Sequence, residues 1–467
     1  MSVTPGAPRT LEAPEAMTVP PTVGPLPSVV PPTAERFTLS SGLEVVTLRR
    51  EVAPIVSAAL MIRSGAGEDP ADRAGLASLT AEMLDEGAGA RDALALADEL
   101  ERLGADLWVG SGRDGSQLSL QAPNDTFFQA LDIAGDVLCR PLLTDDDWQR
   151  VLADRKTANA QRRDQPESVV SVVSDRLLFG DAHPYGRPVE GFPRTIEHLT
   201  LDHVRAFHQA YWRPNHASLV VAGAFDAANL RARLEAALGG WTAAPTPPPA
   251  PAPAWPERPR LCIVDRPGAP QSIIRFLAPG TDRLSPDRPG LAMLNAILGG
   301  SFTSRLNFNL REKNGFTYGA SSSFAFLRRP GSFAARAAVF AEKTAPAVRE
   351  MLGELQGLHE QPITVEEHAK ARATLLMRVA EGLATTGGIA ASFGDIGLYG
   401  LPLDEPLRFV AALERTTADD LRALAARYVD PAAGMIVIVG DRAAIEPGLR
   451  ELGLPAPLIC DADGERL

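Results

Sequence analysis

The chain has 467 residues, of which 45% are hydrophobic and 22% are charged, and its formal net charge at pH 7 is −12. This length and composition predict a globular protein with two or three domains. The negative charge excludes a general affinity for nucleic acid or for an acidic membrane surface. The longest apolar runs have the length of strands, so no membrane-spanning helix is predicted.

Residues 1–33 are rich in Pro, Thr, Val and Ala, which predicts an extended arm that could lie across a surface. They contain no basic segment followed by an apolar segment, so we expect no signal peptide here. The compartment therefore stays open. It is cytoplasmic by default, and periplasmic if a signal peptide has been removed from this sequence.

In the first half, residues 34–242, the pattern of apolar residues predicts strands at 43–48, 55–62 and 117–121, with a helix over 72–81. Residues 243–259 are so dense in proline that they exclude a helix or a central strand and predict a semi-rigid linker.

The second half, residues 260–460, repeats this order, with strands predicted at 261–264, 273–278 and 332–340. The clearest helix begins after Thr364, where Glu367 three residues later completes a capping box. Blocks of strands and helices in this order indicate an α+β fold, in which each half has a mostly antiparallel sheet with helices packed on one face.

The two halves are copies of each other. Residues 72–81 and 287–296 agree at seven of ten positions, at an offset of 215 residues. A second set of matches has an offset of 217 residues and pairs Thr200, Tyr211, Pro214 and Gly223 with Thr417, Tyr428, Pro431 and Gly440. A period this long indicates duplication of a domain and not a solenoid repeat.

Several short stretches carry a resemblance to a known family. They are HPYGRP at 183–188, YWRPN at 211–215, LGG at 298–300, SRL at 304–306 and REKNGFTY at 311–318. Together with the paired halves, they resemble the M16 family, which contains pitrilysin-type and insulinase-like zinc peptidases, the mitochondrial processing peptidase and the core subunits of the cytochrome bc1 complex. The resemblance spans about residues 34–445 and implies a half-clam built of two homologous domains.

Active members of that family carry His-x-x-Glu-His on the first helix of the first half. Two histidines one turn apart bind Zn²⁺, and the glutamate acts as general base. Here Ser78 and Glu82 stand where the histidines should be, and Ala81 stands where the base should be. The last ligand of the family falls at Thr157 or Ala158. We therefore expect no zinc, and no peptide hydrolysis by the family's mechanism, from this chain alone.

The second half keeps what the resemblance implies for its copy, an Arg and a Tyr seven residues apart, here Arg311 and Tyr318. The sequence predicts a helix with Phe302, Leu306 and Leu310 along one stripe, a left-handed cap at Gly315 and a strand over 316–326. Tyr318 could donate to an oxyanion, and Arg311 could hold a substrate carbonyl. A basic residue at a helix C-terminus and a packed strand tyrosine would explain the same pair without function.

These features favour a non-catalytic subunit of a two-chain M16-type zinc metallopeptidase. Arg311 and Tyr318 would act in trans on a zinc-bearing homologue, and the heterodimer would enclose a peptide substrate. We expect a homodimer when the chain is made alone. Two alternatives stay open. One is a structural scaffold like the bc1 core subunits. The other is a chaperone-like peptide binder, or an accessory of peptide-cofactor maturation. Arg328, Arg329 and Arg336 add positive charge to neighbouring strands, as solvated surface arginines also would.

Overall fold

A computed structural model describes residue 24 and residues 28–248 and 253–467. The predicted arm therefore lies largely outside the described residues. Among those residues, no helix has the length and apolar character that a membrane span requires. The strands of the first half are β1 (Ala34–Thr38), β2 (Glu44–Arg49), β3 (Ile55–Ile62), β4 (Gly87–Ala88), β5 (Arg91–Asp92), β6 (Asp106–Ser111), β7 (Ser116–Pro123) and β8 (Ala217–Gly223). Its helices are α1 (Leu76–Glu82), α2 (Ala93–Arg102), α3 (Phe127–Cys139), α4 (Asp145–Asp164), α5 (Pro166–Phe179), α6 (Pro193–Ile196), α7 (Leu201–Tyr211) and α8 (Ala227–Leu238).

The second half follows the same plan. Its strands are β9 (Leu261–Asp265), β10 (Gln271–Pro279), β11 (Ala320–Phe324), β12 (Ser332–Phe340), β13 (Met435–Gly440) and β14 (Leu458–Cys460). Its helices are α9 (Arg288–Leu298), α10 (Arg305–Asn307) with a π-helical continuation (Phe308–Lys313), α11 (Thr344–Glu360), α12 (Val365–Gly382), α13 (Thr386–Tyr399), α14 (Glu405–Arg415), α15 (Ala418–Tyr428) and α16 (Arg442–Glu451).

The two sheets have the same topology, which confirms the predicted α+β fold. The strand order is β1-β2-β8-β3-β7-β6 in the first sheet and β14-β9-β13-β10-β12-β11 in the second. Most neighbours are antiparallel, and the parallel pairs are β2 with β8, β9 with β13 and β9 with β14. The outer strand beside β2 comes from the start of the chain, whereas the outer strand beside β9 comes from its end.

The repeated threonines have a local role in both copies. Thr200 and Thr417 are the N-caps of α7 and α15, and each side chain accepts a hydrogen bond from the backbone N–H three residues later. The capping box predicted at Thr364 is confirmed, because its hydroxyl accepts from the Glu367 N–H at 3.1 Å and the Glu367 carboxylate accepts from the Thr364 N–H at 2.9 Å.

The face of each sheet opposite its main helical layer carries one helix from the other half. Helix α13 packs on β3 and β8 of the first sheet, and α5 packs on β10 and β13 of the second. The predicted one-sided helical layer therefore describes the main core of each half but leaves out this exchange. The physical reason is that β8 and β13 are buried at every position, so both faces of these strands need cover.

Polar contacts also join the halves. The buried Asp114 carboxylate accepts hydrogen bonds from the hydroxyls of Tyr185 and Tyr399 and from the backbone N–H of Arg328 at 2.7 Å. Arg328 is thus part of the junction between the halves and not a solvated surface arginine. The exchanged helices and this shared carboxylate therefore hold the two halves against each other.

Candidate functional site

The first helix of the first half is fixed at its beginning. Gly75 precedes α1 with φ +103°, and a Cβ there would lie 2.6 Å from Ile196 Cδ1. The Asp69 carboxylate accepts hydrogen bonds from the backbone N–H groups of Gly75 and Ala77 at 2.8 and 2.9 Å. Burial raises the pKa of Asp69 to about 7. A short helix of seven residues therefore has its position set by a buried carboxylate.

The side chains at the degenerate zinc positions contact an arginine. Arg155 of α4 donates to Ser78 Oγ at 2.7 Å, to the Glu82 carboxylate and to the Glu190 carbonyl oxygen at 3.0 Å. Its side chain is only 5% exposed. A guanidinium therefore lies between Ser78 and Glu82, the two positions that histidines hold in the family motif. Ala81 is fully buried beside them and adds no polar group.

Neither of the two residues predicted at the last ligand position is buried with Ser78. Thr157 and Ala158 are exposed on α4, whereas Arg155 and Asn159 are buried. The reason is the helical period, because the buried stripe of α4 recurs every three to four residues and passes through 155 and 159. That stripe was visible in the sequence after Trp148, Val151 and Leu152, and it could have revealed Arg155 as an inward residue.

The residues present do not fit a zinc ion. A serine, an alanine and one carboxylate lack the nitrogen or thiolate ligands that a tetrahedral zinc site uses, and the guanidinium adds a positive charge. Nowhere in the described residues do three or more His, Cys, Asp or Glu side chains form a group suited to a metal. We assign no chemistry to a metal in this chain, and its lack of zinc stays a prediction.

In the second half, Arg311 and Tyr318 flank one turn. Leu306 and Leu310 are buried as predicted, and Gly315 has φ +63°. The Gly315 N–H donates to the Arg311 carbonyl oxygen at 3.1 Å, and the Phe316 N–H donates to the Leu310 carbonyl oxygen at 2.8 Å. The predicted left-handed cap is therefore confirmed.

Two details of this loop correct the prediction. Phe302 lies before α10 and is 68% exposed, so it is not part of the buried stripe. The strand begins only at Ala320, so Tyr318 lies in the preceding turn. The π-helical turn at Phe308–Lys313 closes the helix, and such turns are frequent at functional sites.

Tyr318 is not packed in a core, and Arg311 packs on an exposed ring. Tyr318 is 89% exposed, and its hydroxyl forms no hydrogen bond within the described residues. The Arg311 guanidinium lies 4.5 Å from the centre of the exposed Phe302 ring, and its nearest carboxylate is that of Glu312 at 3.6 Å. No hydrogen bond or ion pair within the described part of the chain joins this loop to Ser78 or Glu82. The structure thus shows two separate groups of residues. In the first, the buried Arg155 occupies the space between Ser78 and the half-exposed Glu82, and in the second Tyr318 is exposed.

Comparison with known proteins identifies the class to which this fold and these positions belong. A model described as insulinase, peptidase family M16, matches residues 44–178, and a model described as the peptidase M16 inactive domain matches residues 198–375. Together they span more than half of the sequence. The chain belongs to the M16 peptidase family.

Individual relatives agree with this assignment. The chain is 26% identical over 405 residues to an uncharacterized zinc protease of Streptomyces coelicolor, covering 84% of this chain and 86% of that protein. It is 25% identical to one from Mycobacterium tuberculosis, covering 86% of this chain and 92% of that protein.

Solved structures show the same fold. A peptidase M16 inactive domain from Pseudomonas fluorescens superposes with a TM-score of 0.81 at 24% identity, covering 87% of this chain and 98% of that one. A chain of complex III2 from Candida albicans superposes with a TM-score of 0.76 at 17% identity, covering 90% of this chain and 99% of that one.

Proposed function

We propose that this chain is the non-catalytic subunit of a two-chain M16-type zinc peptidase, and that it supplies Arg311 and Tyr318 to the active site of a zinc-bearing homologue. The observation that carries the proposal is the contrast in exposure between the two groups. The degenerate zinc positions are closed by Arg155, whereas the Tyr318 side chain is 89% exposed with a free hydroxyl. A tyrosine with an exposed ring and an unpaired hydroxyl offers both apolar area and a hydrogen-bond donor to another molecule.

The proposed role of Tyr318 is electrostatic. Hydrolysis of a peptide bond develops negative charge on the carbonyl oxygen, and a donor placed before the reaction stabilises that charge without reorganisation. The Tyr318 hydroxyl is such a donor because no internal acceptor competes for it within the described residues. The loss of one such donor typically costs about 3–4 kcal/mol of transition-state stabilisation.

The proposed role of Arg311 is to hold a substrate carbonyl. Its guanidinium lies over the Phe302 ring, and its nearest carboxylate is a partly exposed neighbour at 3.6 Å, so most of its donors are available. The partner would provide the metal, the general base and the facing wall of a peptide-sized chamber. We expect this complex to bury well over roughly 2,000 Å², as obligate interfaces do.

The test uses Tyr318→Phe in a complex co-purified with a zinc-motif homologue from the same organism. The variant keeps the ring and removes the hydroxyl, so the complex should elute unchanged from a sizing column. The kcat for a quenched-fluorescent peptide should fall by about 10²-fold or more. The matched control is Tyr428→Phe, which removes a hydroxyl that donates to Asp287 at 2.7 Å, away from this loop. It should leave the kcat unchanged.

Two outcomes would contradict the proposal. A Tyr318→Phe complex that cleaves at the wild-type rate would remove the catalytic role and favour a scaffold of the bc1-core type. Failure of the two chains to associate at micromolar concentration would remove the subunit role itself.

A further inference from the structure

A cavity of about 440 Å³ lies beside the Tyr318 loop, between the N-terminal part of α5 and the second sheet. Its floor includes Arg275 of β10, Arg336 of β12 and Ser321 of β11. These three residues form one row across the strands, because Arg275 pairs directly with Arg336 and Arg336 pairs with Ser321. Residues paired in this way project from the same face of the sheet.

The row places two like charges directly opposite each other, an arrangement that destabilises a sheet when nothing compensates it. The nearest carboxylate is Asp175, whose oxygen lies 3.6 Å from the Arg275 guanidinium. That carboxylate is already shared, because its other oxygen pairs with Arg113 at 2.5 Å. One negative charge therefore serves two arginines, and Arg336 has no carboxylate within 4 Å among the described residues.

The hydrogen bonds of the two arginines are also incomplete. The Nη1 of Arg275 is buried and has no hydrogen-bond partner among the described residues. The Nε of Arg336 donates to Ser321 Oγ at 3.1 Å. Glu167 lines the opposite side of the cavity but forms no ion pair with either arginine. Burial and the neighbouring positive charges lower the pKa of Arg275 although the Asp175 carboxylate acts in the opposite direction, so this shared counter-ion compensates the cation only in part.

We propose that this cavity binds a carboxylate of the peptide substrate, through Arg336 and Arg275. A carboxylate fits because its two oxygens accept from guanidinium groups in a fork geometry, and serine hydroxyls beside them add donors. The volume falls within the range of small-ligand pockets, so one acidic side chain or a peptide C-terminus can enter.

The position of the cavity predicts where the carboxylate lies in the substrate. Ser321 follows Tyr318 by three residues, so their Cα atoms are at most about 11 Å apart. An extended peptide covers that distance in three or four residues. The substrate class is therefore a peptide with an acidic residue, or its free C-terminus, three or four positions from the bond that Tyr318 faces. This specificity rests on the proposed function.

The test measures binding to the purified full chain by fluorescence anisotropy, without cleavage. Three labelled seven-residue peptides are compared. The first has one internal Asp and a C-terminal amide, the second has no acidic residue and a free C-terminus, and the third has Asn and an amide. We expect the first or the second to bind about tenfold more tightly than the third. Which one does so distinguishes a side chain from a terminus.

The decisive variant is Arg336→Gln. Arg336 is exposed, so the variant should fold normally, and it should abolish the preference for the carboxylate peptide while leaving the third peptide unaffected. The matched control is Arg422→Gln on α15, an exposed arginine outside the cavity, which should preserve the preference. Equal binding of all three peptides, no binding of any, or a preference that survives Arg336→Gln would overturn the carboxylate site.

These outcomes are separate from the test of the proposed function. Loss of the binding preference leaves the effect of Tyr318→Phe on kcat to be measured in the complex. A wild-type rate with Tyr318→Phe would leave the binding preference of the chain intact.

Discussion

The first helix of the domain has polar contacts in one copy and apolar packing in the other. In the first copy, Ser78 and Glu82 of α1 bind the guanidinium of Arg155. At the offset of 215 residues, the second copy has Met293 and Ile297 on α9, both buried in one apolar core.

The position of Arg155 also differs between the two copies. Helices α4 and α12 both begin after a capping threonine, Thr144 and Thr364. Aligned on these caps, Arg155 corresponds to Leu375, which packs in the same core as Met293 and Ile297. The first copy therefore keeps a polar pocket and closes it with an internal cation, whereas the second copy has filled the pocket with apolar side chains. In neither copy is this helix open for chemistry.

The segment that follows this helix also differs between the two copies. At the same offset, the π-helical turn Phe308–Lys313 of the second copy, which carries Arg311 and precedes the exposed Tyr318, corresponds to the beginning of the regular helix α2 in the first copy. In this comparison the homologous helices α1 and α9 are closed by packing, whereas Tyr318 of the second copy is exposed. The following predictions test that division.

The largest expected effect is all-or-none and concerns metal. The wild-type chain should contain no tightly held zinc by elemental analysis. Ser78→His, Ala81→Glu and Glu82→His together should still bind none, because Arg155 leaves a positive charge between the two histidines. Adding Arg155→Glu should bring the content to about one zinc per chain, since a third protein ligand replaces the cation. Stoichiometric zinc in the wild type or in the triple variant would show that Arg155 does not close the site.

The next effect concerns stability and compares a buried residue with an exposed residue near Arg311. Leu306 is fully buried, so Leu306→Ala should lower the free energy of unfolding by about 2–5 kcal/mol through the cavity it leaves. Phe302 is exposed, so Phe302→Ala should change it by less than about 0.5 kcal/mol. Urea denaturation measures both. Similar losses for the two variants would mean that Phe302 packs in solution.

A smaller effect on stability tests whether the polar cluster of Ser78, Glu82 and Arg155 can be replaced by the apolar side chains of the second copy. Arg155→Leu alone should cost about 1–3 kcal/mol, because it leaves the Glu190 carbonyl without its donor; Ser78 Oγ keeps its hydrogen bond to the Gly75 carbonyl at 3.2 Å, and the half-exposed Glu82 limits the loss. Adding Ser78→Met and Glu82→Ile recreates the composition of the second copy and should recover most of that stability. A triple variant that is less stable than Arg155→Leu would argue against the equivalence. The comparison variant Arg311→Leu should be nearly neutral for stability.

A last effect is a pH dependence that originates in the first copy. Burial raises the pKa of Asp69 to about 7, and its counterpart at the repeat offset is the exposed Leu284. An acid whose pKa is raised on folding binds its proton more tightly in the folded state. Its contribution is therefore present at acid pH and is lost as pH rises from about 4 through about 7, by at most about 1.4 kcal/mol per pH unit.

Asp69→Asn should remove that contribution. Unfolding free energies from urea titrations at pH 5, 6, 7 and 8 should therefore fall less steeply with pH in the variant than in the wild type. Parallel pH profiles would show that Asp69 is ionised throughout this range.

The sequence by itself determined the duplication, the α+β class, the capping boxes and the left-handed turn at Gly315. These features depend on local patterns, namely the period of apolar residues, a threonine before a helix and a residue free to adopt positive φ. The resemblance of its motifs to the M16 family also predicted that Ser78, Ala81 and Glu82 stand at the zinc-motif positions, because such a prediction needs only residue types at fixed spacing.

Only the tertiary structure decided four further points. The exchange of α5 and α13 between the halves depends on which apolar face meets which sheet, and amphipathic pattern alone does not name a partner. The closure by Arg155 depends on a contact 77 positions away along the chain. The exposure of Phe302 and the cross-strand pairing of Arg275 with Arg336 depend on where a helix begins and on strand register. In each case the energy comes from neighbours distant in sequence, so local residue patterns do not contain the answer.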